Sequence, residues 1–305
     1  MSKTVRAAVV QAAPKAFDIK TTMERLEHLA KEAAEKGAKI AVFPEAFIGG
    51  YPKGLDFGAR VGTRSEEGRK DFQRYFEAAI EVPGTVTDQL CKIAKSLAIT
   101  LVVGVIERDG GTLYCTALYV GEDGTLLGKH RKLMPTAMER LIWGFGDGTT
   151  LKAVDTPVGR VGAVICWENY MPMLRTAMYK QGVMLYCVPT VDDRDSWLPT
   201  MKHIAFEGRC FVLSSCQFAE RTDYPDDYNC IQGNDPETVL IRGGSCIIDP
   251  SGEVLVGPVF GEETVLVADL DLGAIARGKY DLDVVGHYER PDVFDLLVMG
   301  LDEEK

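Results

Sequence analysis

Short apolar runs of strand length alternate with helical patterns along this chain, and the alternation happens twice. In the first round Thr4–Gln11 reads as a strand, followed by a helix with Leu26, Leu29, Ala30 and Ala33 on one face. Thr21 and Glu24 are spaced as its capping box, and Gly37 stands where a helix ends. Residues 39–43 form a second strand. Two helices follow, over residues 69–79 and after Pro83-Gly84, and then a strand at 100–106 and a hairpin of 113–120 with 125–130. In the second round the strand at 161–165 leads into a helix at 173–181, opened by Pro172 and stopped by Gly182. A strand at 183–188, a helix capped by Ser196, a strand at Phe211–Cys216, a hairpin of 245–248 with 253–256 and a last strand at 264–269 complete it. Strand–helix units closed by a hairpin, met twice, point to an α/β fold. We expect a single domain over residues 1–305 with pseudo-symmetric halves. Residues 49–67 and 220–234 read as surface loops, and the last four residues as a frayed tail.

The chain is 46% hydrophobic and 26% charged, which suits a water-soluble globular protein. Its net charge of −11, with no long basic stretch, argues against nucleic-acid binding. No apolar run is long enough for a membrane span, and the first ten residues read as a strand rather than a signal peptide. Eight cysteines occur without a C-x-x-C pair, several of them inside apolar runs, which fits a reducing, cytoplasmic setting. His28, His130, His203 and His287 lie in no metal-ligand spacing, so no metal is expected. Gly144-Phe-Gly-Asp-Gly148 does not follow a strand as a dinucleotide loop must, so no cofactor is expected either.

Three chemically complementary residues each come just after an apolar strand: Glu45, Lys132 and Cys166. In open α/β sheets, sites gather beyond the carboxyl ends of the strands. A thiol at a strand-to-helix turn lies near backbone N–H groups, which favour a thiolate and can receive an oxyanion. A carboxylate can take the thiol proton, and an ammonium can stabilise charge that develops during attack. Taken singly, each has a plainer reading: a core cysteine, a helix-capping carboxylate, a solvated lysine in a basic cluster. Tyr51, Trp143, Trp167 and Trp197 are candidates to line an apolar pocket, and Thr190, at the head of Thr-Val-Asp-Asp-Arg194, is a candidate to border it.

Together, Phe43-Pro-Glu45-Ala-Phe-Ile-Gly-Gly-Tyr-Pro52, Lys129-His-Arg-Lys132-Leu-Met-Pro-Thr-Ala-Met-Glu139-Arg and Cys166-Trp-Glu-Asn-Tyr-Met-Pro172 resemble the nitrilase superfamily of carbon–nitrogen hydrolases. The order Glu, Lys, Cys is kept, and Cys-Trp-Glu-Asn followed by Met-Pro is similar to the true nitrilase branch. The resemblance runs from Val5 to about Phe294. It implies a four-layer α-β-β-α sandwich that dimerises, and in some relatives builds spiral filaments with a longer C-terminal tail than this chain carries. It also implies Cys166 as nucleophile, Glu45 as general base, Lys132 as electrostatic stabiliser and Glu139 as a second carboxylate orienting the lysine. The implied activity is hydrolysis of a small-molecule nitrile to acid and ammonia, without a cofactor. Two rivals stand beside it. One is an amidase, carbamoylase or cyanide hydratase or dihydratase built on the same residues. The other is a filament-forming protein that has lost catalysis.

Overall fold

The computed structural model describes residues 3–301; the expected frayed tail, residues 302–305, lies outside them. In chain order the elements are β1 (Thr4–Gln11), α1 (Ile19–Glu35), β2 (Ile40–Val42), β3 (Ala59–Arg60), β4 (Thr63–Arg64), α2 (Glu66–Glu77), α3 (Thr85–Leu97), β5 (Thr100–Asp109), β6 (Thr112–Val120) and β7 (Leu126–Arg131). They continue with β8 (Val154–Thr156), β9 (Gly159–Ala163), α4 (Pro172–Lys180), β10 (Leu185–Thr190), α5 (Trp197–Gly208), β11 (Phe211–Cys216), β12 (Phe218–Glu220), β13 (Val239–Ile248), β14 (Val254–Phe260), β15 (Thr264–Asp271) and α6 (Gly273–Gly278).

Two large sheets result, ordered β15-β1-β2-β5-β6-β7 and β12-β13-β11-β10-β9-β8, with β14 paired to β13. β1, β2 and β5 run parallel, as do β9, β10 and β11, while the hairpin strands are antiparallel. Successive side chains of a strand point to opposite faces. On β1, Val5, Ala7 and Val9 enter one apolar cluster, and Ala8 and Val10 enter another. The first cluster also holds Val161, Ala163, Leu185, Cys187, Phe211 and Leu213, so it fills the space between the two sheets. The second packs β1, β2 and β5 against α1 and α3; a third packs β10 and β11 against α4 and α5. Three apolar seams separate four layers, the expected α-β-β-α sandwich. Because every central strand is covered on both faces, its sequence is a continuous apolar run rather than an alternating one.

Three expectations change. The cap of α1 is Asp18, which accepts from Thr21 N–H at 3.0 Å and from the Thr21 hydroxyl at 2.7 Å; Thr21 lies inside the helix. Ser196 makes no side-chain cap at α5. β15, from the end of the second round, pairs antiparallel with β1 over its whole length and completes the first sheet, so the halves interlock. The two polar loops are more than surface. Gly49 and Gly50 are buried, and Tyr224 and Tyr228 of the later loop donate their hydroxyls to Tyr51 O at 2.9 Å and Lys53 O at 2.6 Å. One loop thus packs the other down beside Glu45.

In the first sheet β7 runs the same way as β2, since it is antiparallel to β6, which is antiparallel to β5. The exits of β2 and β7 therefore lie at one edge. Close backbone packing sets that edge. A Cβ on Gly104, in mid-β5, would lie 2.1 Å from Pro44 O and 2.7 Å from Glu45 Cα, so only glycine admits the exit of β2 there. Gly104→Ala is expected to destabilise the fold by about 1–3 kcal/mol through overpacking, read as a lowered thermal-unfolding midpoint. An unchanged midpoint would show that the Pro44–Glu45 backbone yields freely.

Candidate active site

Beyond β9 the apolar Val164 and Ile165 lead to a 3₁₀ turn, Cys166–Tyr170, and Pro172 then opens α4. Cys166 sits at φ 49°, the left-handed region that a non-glycine residue occupies only when its surroundings hold it there. Asn169 is one of those holds: its side-chain amide donates to Val164 O at 3.0 Å and Cys166 O at 2.8 Å. The Cys166 sulfur lies 3.2 Å from the hydroxyl of Thr190, the last residue of β10, so the expected bordering residue touches the thiol itself. The thiol is almost wholly buried, 4% exposed, and lines a cavity of about 230 Å³ shared with Tyr51, Glu139 and Trp167.

Lys132 directly follows β7 and is buried between two carboxylates. Its Nζ donates to Glu45 Oε1 at 2.6 Å and to Glu139 Oε2 at 3.0 Å. The plainer reading of this segment as a solvated basic cluster thus fails for Lys132. Lys129 and Arg131 turn to Glu107, while Lys132 and His130 turn inward. Glu139 is itself doubly fixed: Oε2 also accepts from Thr136 N–H at 2.6 Å, and Oε1 accepts from the Tyr51 hydroxyl at 2.8 Å. Glu45 is completely buried, and its main-chain oxygen accepts from the Gln217 amide at 2.8 Å. Among the described residues Glu45 Oε2 has no hydrogen-bond partner, while Cys166 lies close enough to act on the carboxyl group. That oxygen is the one free to accept a proton.

The charges follow from this packing. Burial pushes the Glu45 carboxyl above the ordinary carboxylate range; Lys132 opposes the shift and Glu139 adds to it. Burial alone would push Lys132 down, but Glu45, Cys166 and Glu139 outweigh it and keep the ammonium charged well past its usual range. Burial, reinforced by Glu45, drives the Cys166 thiol far up, with Lys132 pulling it back in part. The resting thiol is therefore protonated. Desolvation and a neighbouring carboxylate exceed whatever the N–H groups at the turn contribute, so the nucleophile needs a base to take its proton, the role the sequence reading gives to a carboxylate.

Two of the aromatic expectations separate from the cavity. Trp197 is buried in the outer seam, where its indole N–H donates to Ser214 Oγ at 3.0 Å; it packs α5 on the sheet and does not line the cavity at Cys166. Trp143 is also core. Its ring faces Lys132 Nζ at 5.4 Å, its N–H donates to Tyr75 Oη at 3.2 Å, and it meets Tyr51 edge-on, so it backs the lysine from behind. Trp167 does line the cavity, 40% exposed, with its indole N–H donated to Asp192 at 2.8 Å and the Arg194 guanidinium over its ring at 4.5 Å.

Sequence reasoning missed several neighbours. Cys115, in mid-β6, approaches Glu45 Oε1 at 3.5 Å; nothing in an apolar strand marks it. Gln217 comes directly after β11, so the strand-exit rule that found Glu45 applied to it as well. The glycine-rich segment rejected as a cofactor loop supports the site: Gly146 N–H donates to Lys132 O at 2.9 Å, and a Cβ there would strike Arg131 O at 2.1 Å. Among the described residues no group of histidine, cysteine, aspartate and glutamate side chains could hold a metal ion.

Comparison with known proteins agrees with this geometry. Residues 6–280 match the carbon–nitrogen hydrolase family. An aliphatic nitrilase of Sinorhizobium fredii (strain HH103) is 60% identical over 299 residues, covering 98% of this chain and 96% of that protein. A bifunctional nitrilase/nitrile hydratase of Lupinus angustifolius is 56% identical over 300 residues, covering 97% of this chain and 86% of that protein. Among solved structures, the carbon–nitrogen hydrolase from Helicobacter pylori G27 superposes with a TM-score of 0.73 at 19% identity, over 95% of this chain and 97% of that one, which establishes the shared fold. The chain belongs to the carbon–nitrogen hydrolase family, in its nitrilase branch.

Proposed function

We propose that the protein hydrolyses organic nitriles to carboxylic acids and ammonia through a covalent adduct on Cys166. The observation that carries this reading is the buried ammonium of Lys132 between Glu45 and Glu139, beside a protonated thiol that faces a small cavity. Nitriles, rather than amides, are favoured because an aliphatic nitrilase and a bifunctional nitrilase/nitrile hydratase are 60% and 56% identical to this chain over nearly all of it.

Glu45 takes the Cys166 proton as sulfur adds to the nitrile carbon. The nitrogen gains an electron pair and is protonated in turn by the Glu45 carboxylic acid, which leaves a neutral thioimidate. Lys132 stabilises the charge that builds on nitrogen during addition. A water then loses its proton to Glu45 and attacks the thioimidate carbon. The amine of the tetrahedral species leaves as ammonia once protonated, and a thioester remains. A second water, deprotonated the same way, releases the acid and restores the thiol. Splitting one hard hydration into such steps is what covalent catalysis achieves. Cleavage of C–S instead of C–N at the tetrahedral stage would release the amide. Glu139, bonded to Tyr51 and Lys132, holds the lysine on this side.

A panel of aliphatic, aromatic and arylaceto nitriles, with amides, carbamoyl compounds and cyanide alongside, tests the reading by ammonia and amide released. Turnover of amides alone would replace it with the amidase alternative, and no turnover at all with the non-catalytic one. Because Glu45 must be ionised to act and burial raises its pKa, kcat/KM is expected to fall as pH drops through that raised value. The acid limb should therefore lie above the usual range for a glutamate. A limb at or below that range would mean that another group is the base.

We place the protein in a reducing cytoplasm, which its eight free cysteines support, and among the described residues no helix is long and apolar enough to cross a membrane. Exposed Met173 on α4 and Phe206 on the adjacent α5 support assembly of identical chains.

A further inference from the structure

The steps above use neither Glu168 nor His130, yet both side chains are completely buried next to the site. Glu168 Oε1 accepts from Ile165 N–H at 2.6 Å and meets His130 Nε2 at 2.8 Å. Its other oxygen, Oε2, accepts from Leu133 N–H at 2.9 Å. Ile165 is the residue before Cys166, at the exit of β9 in the second sheet. Leu133 is the residue after Lys132, at the exit of β7 in the first, and His130 lies on β7 itself. One carboxylate therefore joins the backbone beside the thiol to the backbone beside the ammonium, across the two sheets. Here three donors from two sheets converge on two oxygens.

Both anchored segments need such a hold. Cys166 is kept in a left-handed backbone conformation, and Lys132 must reach Glu45 at 2.6 Å and Glu139 at 3.0 Å at once. A displacement of either backbone by a few tenths of an ångström changes the approach of sulfur, ammonium and bound carbon together.

We infer that Glu168 is a positioning residue for the hydrolysis, setting Cys166 against Lys132 through Ile165 N–H and Leu133 N–H, with His130 holding the carboxylate in register. This rests on the nitrile-hydrolysis reading. A glutamine at 168 keeps the size but cannot keep the bridge. Its single oxygen can serve Ile165 or Leu133, and its NH₂ group then confronts the other N–H donor. The charge assistance to both bonds disappears as well.

The test compares full-length wild type with Glu168→Gln, His130→Leu and His130→Gln on one nitrile, with kcat expressed per folded molecule, the folded fraction being read by circular dichroism. Glu168→Gln is expected to lower kcat per folded molecule by about a hundredfold, the scale of an ångström's misplacement, while KM stays within about threefold. His130→Leu, without a donor, should fall by about tenfold, and His130→Gln, whose amide N–H can stand near Nε2, should recover most of that loss. A merely structural role would instead lower the folded fraction and leave kcat per folded molecule at the wild-type value; that result overturns the inference. If Glu168→Gln does not fold, the two His130 variants decide: equal rates in Leu, Gln and wild type overturn it. Wild type that fails to turn over any nitrile refutes the nitrile reading instead.

Discussion

Cys166→Ala is expected to abolish nitrile turnover, by about 10⁴-fold or more, the scale on which hydrolases respond to loss of a covalent nucleophile. The fold should survive. Alanine occupies the left-handed region with no more strain than cysteine, and the turn is held through Asn169 and backbone groups rather than through sulfur. The Thr190 hydroxyl, 3.2 Å from the sulfur in the wild type, would still accept from Asp192 N–H at 2.9 Å. Steady-state ammonia release, with circular dichroism for the fold, measures both halves of the expectation. Residual turnover near the wild-type rate in Cys166→Ala would remove the covalent mechanism altogether. Of the other seven cysteines, six should be dispensable. Cys115, 3.5 Å from Glu45, is the one whose replacement should be felt at the site.

The second large effect concerns the two carboxylates. Glu45→Gln is expected to block the covalent adduct and to lower kcat by about 10²–10⁴-fold, the range for loss of a general base. The reason is electrostatic. The thiol is held protonated by burial and by Glu45 itself, so a neutral amide at 45 leaves nothing to take the proton. Glu139 cannot substitute, because its oxygens are engaged by Tyr51, Thr136 and Lys132. Glu139→Gln should accordingly still form the adduct but break it down slowly, with more amide released. Intact-protein mass spectrometry after brief mixing with a nitrile separates the two. An adduct that forms as fast in Glu45→Gln as in wild type would locate the base elsewhere.

Glu45 and Cys166 were legible in the chain because each follows an apolar run, and an apolar run of strand length puts the next polar residue at a sheet edge; Lys132 follows the polar end of β7, Lys129-His130-Arg131, and was legible only through the resemblance of its segment. The same rule would have picked out Gln217. It could not reach Cys115, which sits in mid-strand and faces Glu45 only because β6 packs at that register. Nor could it sort the aromatics. Trp143 and Trp197 have the composition of pocket walls, but their faces are assigned by how the layers stack, and both went to the core.

What the sequence determined by itself is therefore local: the strands and helices, set by periodicity and by proline and glycine at their ends, and the residue that emerges from each strand. Tertiary structure decided everything that depends on two distant segments meeting. It moved β15 across to pair with β1, buried Lys132 between Glu45 and Glu139, raised the Cys166 thiol rather than lowering it, and used Glu168 to join the two strand exits. The physical reason is common to all four. Desolvation and long-range hydrogen bonds are properties of an environment, and the environment of each of these groups is supplied by residues far away in the chain.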